Sequence, residues 1–307
     1  MSDSAAFEGL APPGTSPLPV GDPMAGLADD DAGLWERLRR HPMATLSLGV
    51  LAAVAVVCLV GPWFVPYDVD AVQLDAIRQP PSLAHLMGTD DLGRDILIRV
   101  LHGGRFSILI GVLAAILGTG VGTLFGAVAG YAGGRTDNVL MRITDVAYAI
   151  PTLPLLIVLA SYSGADPVSM ALIIGGLSWM TTARVVRGEV LSLKEMAFVE
   201  SARSLGARPG RILGRHILPN ALGPIVVGAT LAVGNAIVIE SSMSFLGLGV
   251  QPPTPTWGNM LMDAQSSMTT TPWLTIFPGV AILAVVLAVN FLGDGLQDAL
   301  DPRGRER

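Results

Sequence analysis

Long apolar runs alternate with short charged ones along this chain. Six stretches, at about 43–65, 106–132, 143–162, 168–186, 221–246 and 272–293, are long and apolar enough to cross a bilayer, since about 20 predominantly apolar residues span the hydrocarbon core as a helix. Polar segments separate them: Trp35-Glu-Arg-Leu-Arg-Arg-His41, a mixed segment over 66–105, and an arginine-bearing loop over 187–220. The pattern predicts an all-α integral membrane protein of six transmembrane helices. Residues 1–34, rich in Pro, Gly, Ala, Ser and Asp, contain no apolar run. They read as a disordered tail with too little buried surface to offset ordering entropy, and they lack the basic and apolar regions of a signal peptide. Trp35–His41 reads as an interfacial helix, with Trp at headgroup level and arginines toward anionic lipid.

Composition strengthens this picture. Mean hydropathy is +0.56. Only 14% of residues are charged, where a soluble domain carries about 25%. The net charge of −6 owes much to acids in the tail and carries no nucleic-acid signal. Cys58, the single cysteine, lies within an apolar run, so disulfides and a cysteine metal cluster are excluded. Lys and Arg are biased to the cytoplasmic side of membrane proteins. With the N-terminus inside, fifteen of the nineteen fall on one side, and only Arg78, Arg94, Arg99 and Arg105 fall outside. Both termini and the 187–220 loop are therefore expected in the cytoplasm, and 66–105 outside.

Two local patterns carry more. Glycines at 118, 122, 126, 130 and 134 form an i, i+4 ladder on one helical face, which lets a neighbouring backbone approach closely. The neighbour is either a helix of the same chain or a second subunit. Within 187–220 the apolar residues Leu191, Met196, Phe198, Val199, Ala202 and Leu205 fall at helical spacing. Gly206 is expected to stop that helix in a left-handed conformation. A second short helix over Arg208–Ile217 and a span opening at Pro219 are expected to follow. The result is a compact helix–turn–helix knob, with small residues at Ser201, Ala202 and Ala207 permitting tight approach and Glu200 free to cap or to pair.

The ordered run Glu200-Ser-Ala-Arg-Ser-Leu-Gly206, followed by His216-Ile-Leu-Pro219-Asn220, resembles the EAA loop of ABC-importer permeases. Ser201 stands where the general pattern has Ala, and His216 where it has Ile. His216-Ile-Leu-Pro-Asn is similar to the dipeptide, oligopeptide and nickel branch. So are His85-Leu-Met-Gly-Thr-Asp90-Asp-Leu-Gly-Arg94-Asp95, Ser244-Phe-Leu-Gly-Leu-Gly249-Val-Gln-Pro-Pro-Thr-Pro-Thr-Trp257-Gly and Gly293-Asp-Gly-Leu-Gln-Asp298-Ala-Leu-Asp301-Pro-Arg303. The resemblance covers 35–303, leaving 304–307 as a tail. It implies a type I ABC importer permease fold in the bacterial inner membrane, as the second permease of a pair. It also implies a homologous permease, two ABC ATPase subunits that bind ATP and Mg, and an extracytoplasmic substrate-binding protein as partners. The ATPase-coupling residues would be Glu200, Ser201, Ala202, Leu205, Gly206, Ala207, Leu218 and Pro219. Peptide is the implied cargo, with a nickel chelate or glutathione as the alternative.

The chain lacks the P-loop, His-Glu-x-x-His and Gly-x-Ser-x-Gly patterns, and its four histidines are scattered. No catalytic residue, metal site or cofactor is expected in it. Glu240 is the one clear ionisable group inside a span, too few for an ordinary ion-coupled carrier, which is the remaining alternative. With Ser241, Ser242 and Ser244, Glu240 either lines a pathway or bonds another helix, for example through Asn290. The 85–95 acids and arginine are expected to tie an external amphipathic helix to the membrane surface, or else to contact a binding protein. The 244–258 stretch, broken by Gly and Pro, is expected at the outer mouth, because broken backbone is tolerated only against protein or water.

Overall fold

The computed structural model describes residues 38, 41–162 and 166–300. The expected tails, and the interfacial helix apart from Leu38 and His41, lie outside these residues. In chain order the helices are α1 (Pro42–Val60), α2 (Ile96–Ala132), α3 (Gly134–Ala149), α4 (Thr152–Tyr162), α5 (Pro167–Leu193), α6 (Ala197–Ser204), α7 (Pro209–Ile212), α8 (Leu222–Phe245), α9 (Trp257–Ala264) and α10 (Trp273–Leu300). Among the described residues the only extended pairing is an isolated bridge between Thr89 and Asp95. Helices α1, α2, α5, α8 and α10 are long and apolar enough to cross a membrane.

The expected third span is not one straight helix. It divides into α3 and α4, which meet at 82°. Pro151 supplies the break: Ile150 before it is extended, with ψ 125°, as sterics against the proline ring demand. The described residues therefore hold five helices long and apolar enough to span, or six candidate spans when the bent pair is counted as one.

Helix α2 begins ten residues before the expected start at 106. Asp95 caps it, accepting from the Ile98 amide at 3.1 Å. The added turns carry Arg99, Gly103, Gly104 and Arg105, which lower hydropathy yet face protein. Arg105 Nε donates to the Cys58 carbonyl at 2.7 Å, and an alanine Cβ at Gly103 or Gly104 would meet Thr256 or Trp257. At 37 residues, the helix is about 55 Å long and overreaches the hydrocarbon core.

The glycine ladder is packed within the chain. Gly118 lies against Gly175 and Ser178, Gly122 against Trp179 and Thr182, Gly126 against Ala183 and Val186, and Gly130 against Arg187 and Val190. Only Gly134 is open. Both sets of numbers rise together, so α2 and α5 run parallel at backbone contact. Their C-terminal ends mark one end of the bundle, where residues 194–221 lie. The 66–95 segment lies at the other.

No amphipathic helix forms in that segment. One 3-10 turn, Leu74–Ala76, is followed by an irregular polar knot with left-handed Gly88 and Gly93. Asp90 accepts from the Leu92 and Arg94 amides, both at 2.9 Å, and from Arg94 Nε at 2.7 Å. Buried His85 and Asp95 pair at 2.9 Å. The acids and arginine thus fold the segment upon itself and reach α9, through Arg94 to Asp263 at 4.0 Å. Burial pushes the Asp263 carboxyl above its usual range, against the pull of Arg99 and Arg94.

Candidate functional site

The 194–221 knob is built outward from α5. Its apolar periodicity predicts one helix over 191–205, but the chain turns at Lys194–Met196 and restarts as α6. An uninterrupted α5 would carry Val199 away from the bundle. The turn instead places Val199, with Ile212 and Ile217, on Ala127, Val186 and Val190, all almost fully buried. Gly206 ends α6 as expected, with φ +76°. The Gly206 amide donates to the Arg203 carbonyl at 3.0 Å and the Ala207 amide to the Ala202 carbonyl at 3.1 Å. This is the Schellman arrangement, which needs a residue free to take positive φ.

The expected second helix splits in two, an α-turn over Pro209–Ile212 and a π-turn over Leu213–Ile217, closed by the Leu218 amide on the Leu213 carbonyl at 2.9 Å. Pro219 sits in the turn that follows, and α8 opens at Leu222. Glu200, Ser201, Leu205, Gly206 and Pro219 are exposed, while Ala202, Ala207 and Leu218 are half-buried. Leu205 is 88% exposed at the tip. The knob is thus held by an apolar root and presents a polar surface on which Met196, Phe198 and, most of all, Leu205 are exposed apolar groups.

Two ion pairs brace the same end of the bundle. Arg187 on α5 donates from Nε and Nη2 to the two carboxylate oxygens of Asp137 on α3, at 2.5 and 2.7 Å. Arg184 pairs with Asp145 at 2.8 Å and lies 4.3 Å from the Tyr148 ring.

A cavity of about 520 Å³ opens between α4, α5 and α8. Its wall is mainly apolar, with Leu156, Ile174, Val185 and Ile239, and carries the polar groups of Thr152, Ser178, Thr181, Thr182 and Asn235. Glu240, Ser241, Ser242 and Ser244 are not among its lining residues. Glu240 is fully buried on another face of α8. It accepts from Ser244 Oγ at 2.7 Å, Ser107 Oγ of α2 at 3.2 Å and Ser241 Oγ at 3.4 Å. Ser107 Oγ in turn accepts the Trp257 amide at 3.2 Å, so one carboxylate joins α2, α8 and α9. Asn290 is exposed and not among its partners, and Ser242 bonds the Val238 carbonyl of its own helix.

The 244–258 stretch is a loop held in place by hydrogen bonds at the start of α9. Thr256 and Asn259 form a reciprocal cap on α9, and Asn259 Nδ2 ties back to the Val250 and Thr254 carbonyls. The cavity residues were missed by the sequence reading. The signal available was the small polar group inside an apolar span, Asn235 above all. Among the described residues no three His, Cys, Asp or Glu side chains gather as metal ligands.

Comparison with known proteins agrees with this architecture. Residues 122–306 match the family model described as binding-protein-dependent transport system inner membrane component. Residues 32–81 match the N-terminal TM domain of oligopeptide transport permease C. The chain is 38% identical over 292 residues to the oligopeptide transport system permease protein OppC of Haemophilus influenzae, covering 93% of this chain and 94% of that protein. It is 41% identical to the OppC protein of Bacillus subtilis, with 89% and 91% covered. It is 44% identical to the glutathione transport system permease protein GsiD of Escherichia coli, with 88% and 89% covered. Among solved structures, an inward-facing MetNI methionine ABC transporter chain shares the fold with a TM-score of 0.55 at 18% identity, covering 66% of this chain and 96% of that one.

Proposed function

The chain belongs to the family of binding-protein-dependent transport system inner membrane components, and from that premise we propose that it supplies half of a transmembrane pathway for peptides and couples it to ATPase subunits. The observation that carries the reading is the knob. It is exposed at its tip, packed at its root onto α5, and continuous through that helix with the cavity wall. A surface of this kind transmits force as a rigid body. Glu200, Ser201, Leu205, Gly206 and Pro219 are its outward groups, and Ala202, Ala207 and Leu218 its packed ones.

On this reading the knob and both termini face the cytoplasm, and the 66–95 segment with the 246–264 stretch faces outward. The cavity between α4, α5 and α8 is this chain's share of the pathway, completed by a homologous permease. Glu240 holds α2, α8 and α9 together behind it. Two ATPase subunits bind and hydrolyse ATP with Mg and move the knob, while an extracytoplasmic binding protein delivers cargo at the outer end. This chain breaks no bond of its own. The bacterial inner membrane is its location.

The GsiD relative favours glutathione as a second cargo reading, and glutathione is itself a short peptide. A cavity with a mainly apolar wall and scattered hydroxyl and amide groups suits a backbone of varying sequence better than one fixed ligand. The test is purification of the tagged chain from membranes in mild detergent, with identification of what is retained. Recovery of a second permease and P-loop ATPases, with peptide-stimulated ATPase activity, supports the reading. A chain that purifies alone and transports without nucleotide is a secondary carrier, and the reading fails.

A further inference from the structure

Helix α3 differs in kind from the helix it is joined to. It carries Arg135, Asp137, Arg142 and Asp145 in 16 residues, whereas the 11 residues of α4 include no charge. Tyr148, just before the bend, meets Thr181 of α5 at 2.6 Å. Further on, Leu156 and Ala160 share one core with Met170, Ala171 and Ile174, so α4 runs back along α5. Since α3 and α4 meet at 82°, α3 lies across the direction of the spans. Its level is set by α5, which opens at Pro167. The hydrocarbon core takes up about 20 helical residues, so α5 leaves it beside Arg187. There Arg184 and Arg187 hold Asp145 and Asp137 of α3 at 2.8 and 2.5 Å.

We propose that α3 is an in-plane lipid-binding helix at the knob's end of the bundle. Val139, Ile143 and Val146 rest on acyl chains, and Arg135 and Arg142 hold the headgroup of an anionic phospholipid. At about 100° per residue, the three apolar side chains share an arc of about 60°, with exposures of 59%, 48% and 66%. Asp137 and buried Thr144 lie on the opposite side, toward the bundle. Arg135 and Arg142 lie within about 40° of one edge of the stripe, and both are exposed. Among the described residues neither is within 4.0 Å of a carboxylate, and both acids of α3 are taken by α5.

This sorting of charge favours lipid over protein as the cover. A protein on the stripe would have to bring a carboxylate for each arginine. An anionic phospholipid brings apolar chains and a phosphate together, and a guanidinium meets phosphate oxygens with two parallel donors. The aliphatic stems of the arginines reach the headgroups while their Cα atoms stay near the stripe. Anchored in this way, α3 stays at the surface while α4 is free to swing at the bend.

The first test reads depth. Val139→Cys, Ile143→Cys and Val146→Cys are made one at a time with Cys58→Ala, which removes the single native thiol. Each is spin-labelled, and the full chain with its co-purifying subunits is reconstituted in vesicles of phosphatidylethanolamine and phosphatidylglycerol. Accessibility to oxygen against chromium oxalate gives the depth of each label. All three should sit at one level, about 5–10 Å below the headgroups. Depth rising by about 10 Å from 139 to 146, as in a crossing helix, overturns the proposal. Labels shielded from both reagents show another subunit on the stripe, and overturn it equally.

The second test reads the headgroup. Dioctanoyl phosphatidylglycerol or dioctanoyl phosphatidylcholine is titrated against the same complex in detergent, with an environment-sensitive fluorophore on the Val146→Cys variant. Each arginine should favour phosphatidylglycerol by about fivefold in half-saturation, or about 25-fold for the pair. Arg135→Gln with Arg142→Gln should abolish that preference, while Arg135→Lys with Arg142→Lys should keep most of it. Equal half-saturation by the two lipids with both arginines present overturns the headgroup assignment, as does a preference that survives the glutamine pair. Neither test depends on the cargo or on what the knob binds, so the proposal and the transport reading stand or fall separately.

Discussion

Gly122→Ala is a one-carbon change whose consequence follows from the α2–α5 contact. A Cβ at that position would lie 2.5 Å from the Trp179 carbonyl oxygen and 3.0 Å from the Ala183 amide nitrogen. Both are backbone atoms of a helix that cannot rotate aside. Ordinary contact begins at 3.4 Å, so the two helices must separate by about 0.9 Å, the difference between 3.4 and 2.5 Å. Overpacking of this kind costs about 1–3 kcal/mol. Gly120, two residues away on the same helix, has nothing within 4 Å of its Cβ position, and Gly120→Ala gains helix propensity alone. The comparison between the two variants isolates the steric cost, because each makes the same gain in propensity. Thermal stability of each variant, followed by size-exclusion of the detergent-solubilised chain, should place Gly122→Ala well below Gly120→Ala, by about five- to 150-fold in the folded-to-unfolded ratio. Equal stability of the two would refute the packing argument. Unchanged stability of Gly122→Ala together with loss of a co-purifying permease would move the ladder to a subunit seam.

Three further outcomes are expected. Glu240→Ala removes the acceptor for Ser244, Ser107 and Ser241 and should lower stability by about 1–3 kcal/mol, while Glu240→Gln keeps the shape and costs less; a flux defect in both with no change in melting would assign Glu240 to the pathway instead. Asp137→Ala leaves Arg187 without its bidentate partner and should reduce coupled transport by more than Asp145→Ala, whose ion pair is about half-exposed on both sides and so is worth about 0–1 kcal/mol; paired uptake assays on the two variants decide it. Asn235→Leu, in the cavity wall, should cut peptide-stimulated ATPase activity and uptake while leaving ATPase retention intact, and loss of retention would count against a pathway role.

Apolar length was enough to locate the membrane helices, since each needs only a run of greasy residues. What length cannot show is where polar groups are satisfied by protein. Arg99 and Arg105 made the first turns of α2 look like loop, although Arg105 is bonded to the Cys58 and Leu59 carbonyls 47 and 46 residues away. Pro151 was visible, but a hydropathy average over 143–162 absorbs it, and the 82° bend with it. Gly206 was legible because a left-handed helix end is a local requirement. The π-turn seven residues later was not, because it exists only to satisfy the burial of both Ile212 and Ile217. Glu240 was correctly marked as unusual, yet its principal cross-helix partner is Ser107, 133 residues earlier, and a serine in an apolar helix announces no partner.

The contacts also bear on how a push at the knob reaches the cavity. Val199, Ile212 and Ile217 are buried against Val186 and Val190 of α5 and Ala127 of α2, so the knob cannot shift without α5. The glycine ladder holds α5 to α2 at backbone contact over four glycines, from Gly118 to Gly130, which makes these two helices one body. Close-packed interfaces of this kind move as units rather than deform. The compliant boundary must therefore lie elsewhere, and the cavity marks it: α4 faces α5 and α8 across about 520 Å³ of open space. Helix α4 is joined to α3 only through the bend at Pro151, and α3 is tied back to α5 by Arg187 and Arg184. Helix α8 goes with the α2–α5 body, held to α2 by the Ser107–Glu240 bond and the close approach of Gly111 to Ile237. On the proposed reading, force on Leu205 moves these three helices together against α4, and the α3–α4 bend takes up the change. Breaking the α3–α5 tether should then alter transport more than altering the cavity wall's polarity. Asp137→Ala should lower coupled uptake by more than Asn235→Leu does, with ATPase retention unchanged in both. Equal or greater loss in Asn235→Leu would place the moving boundary elsewhere.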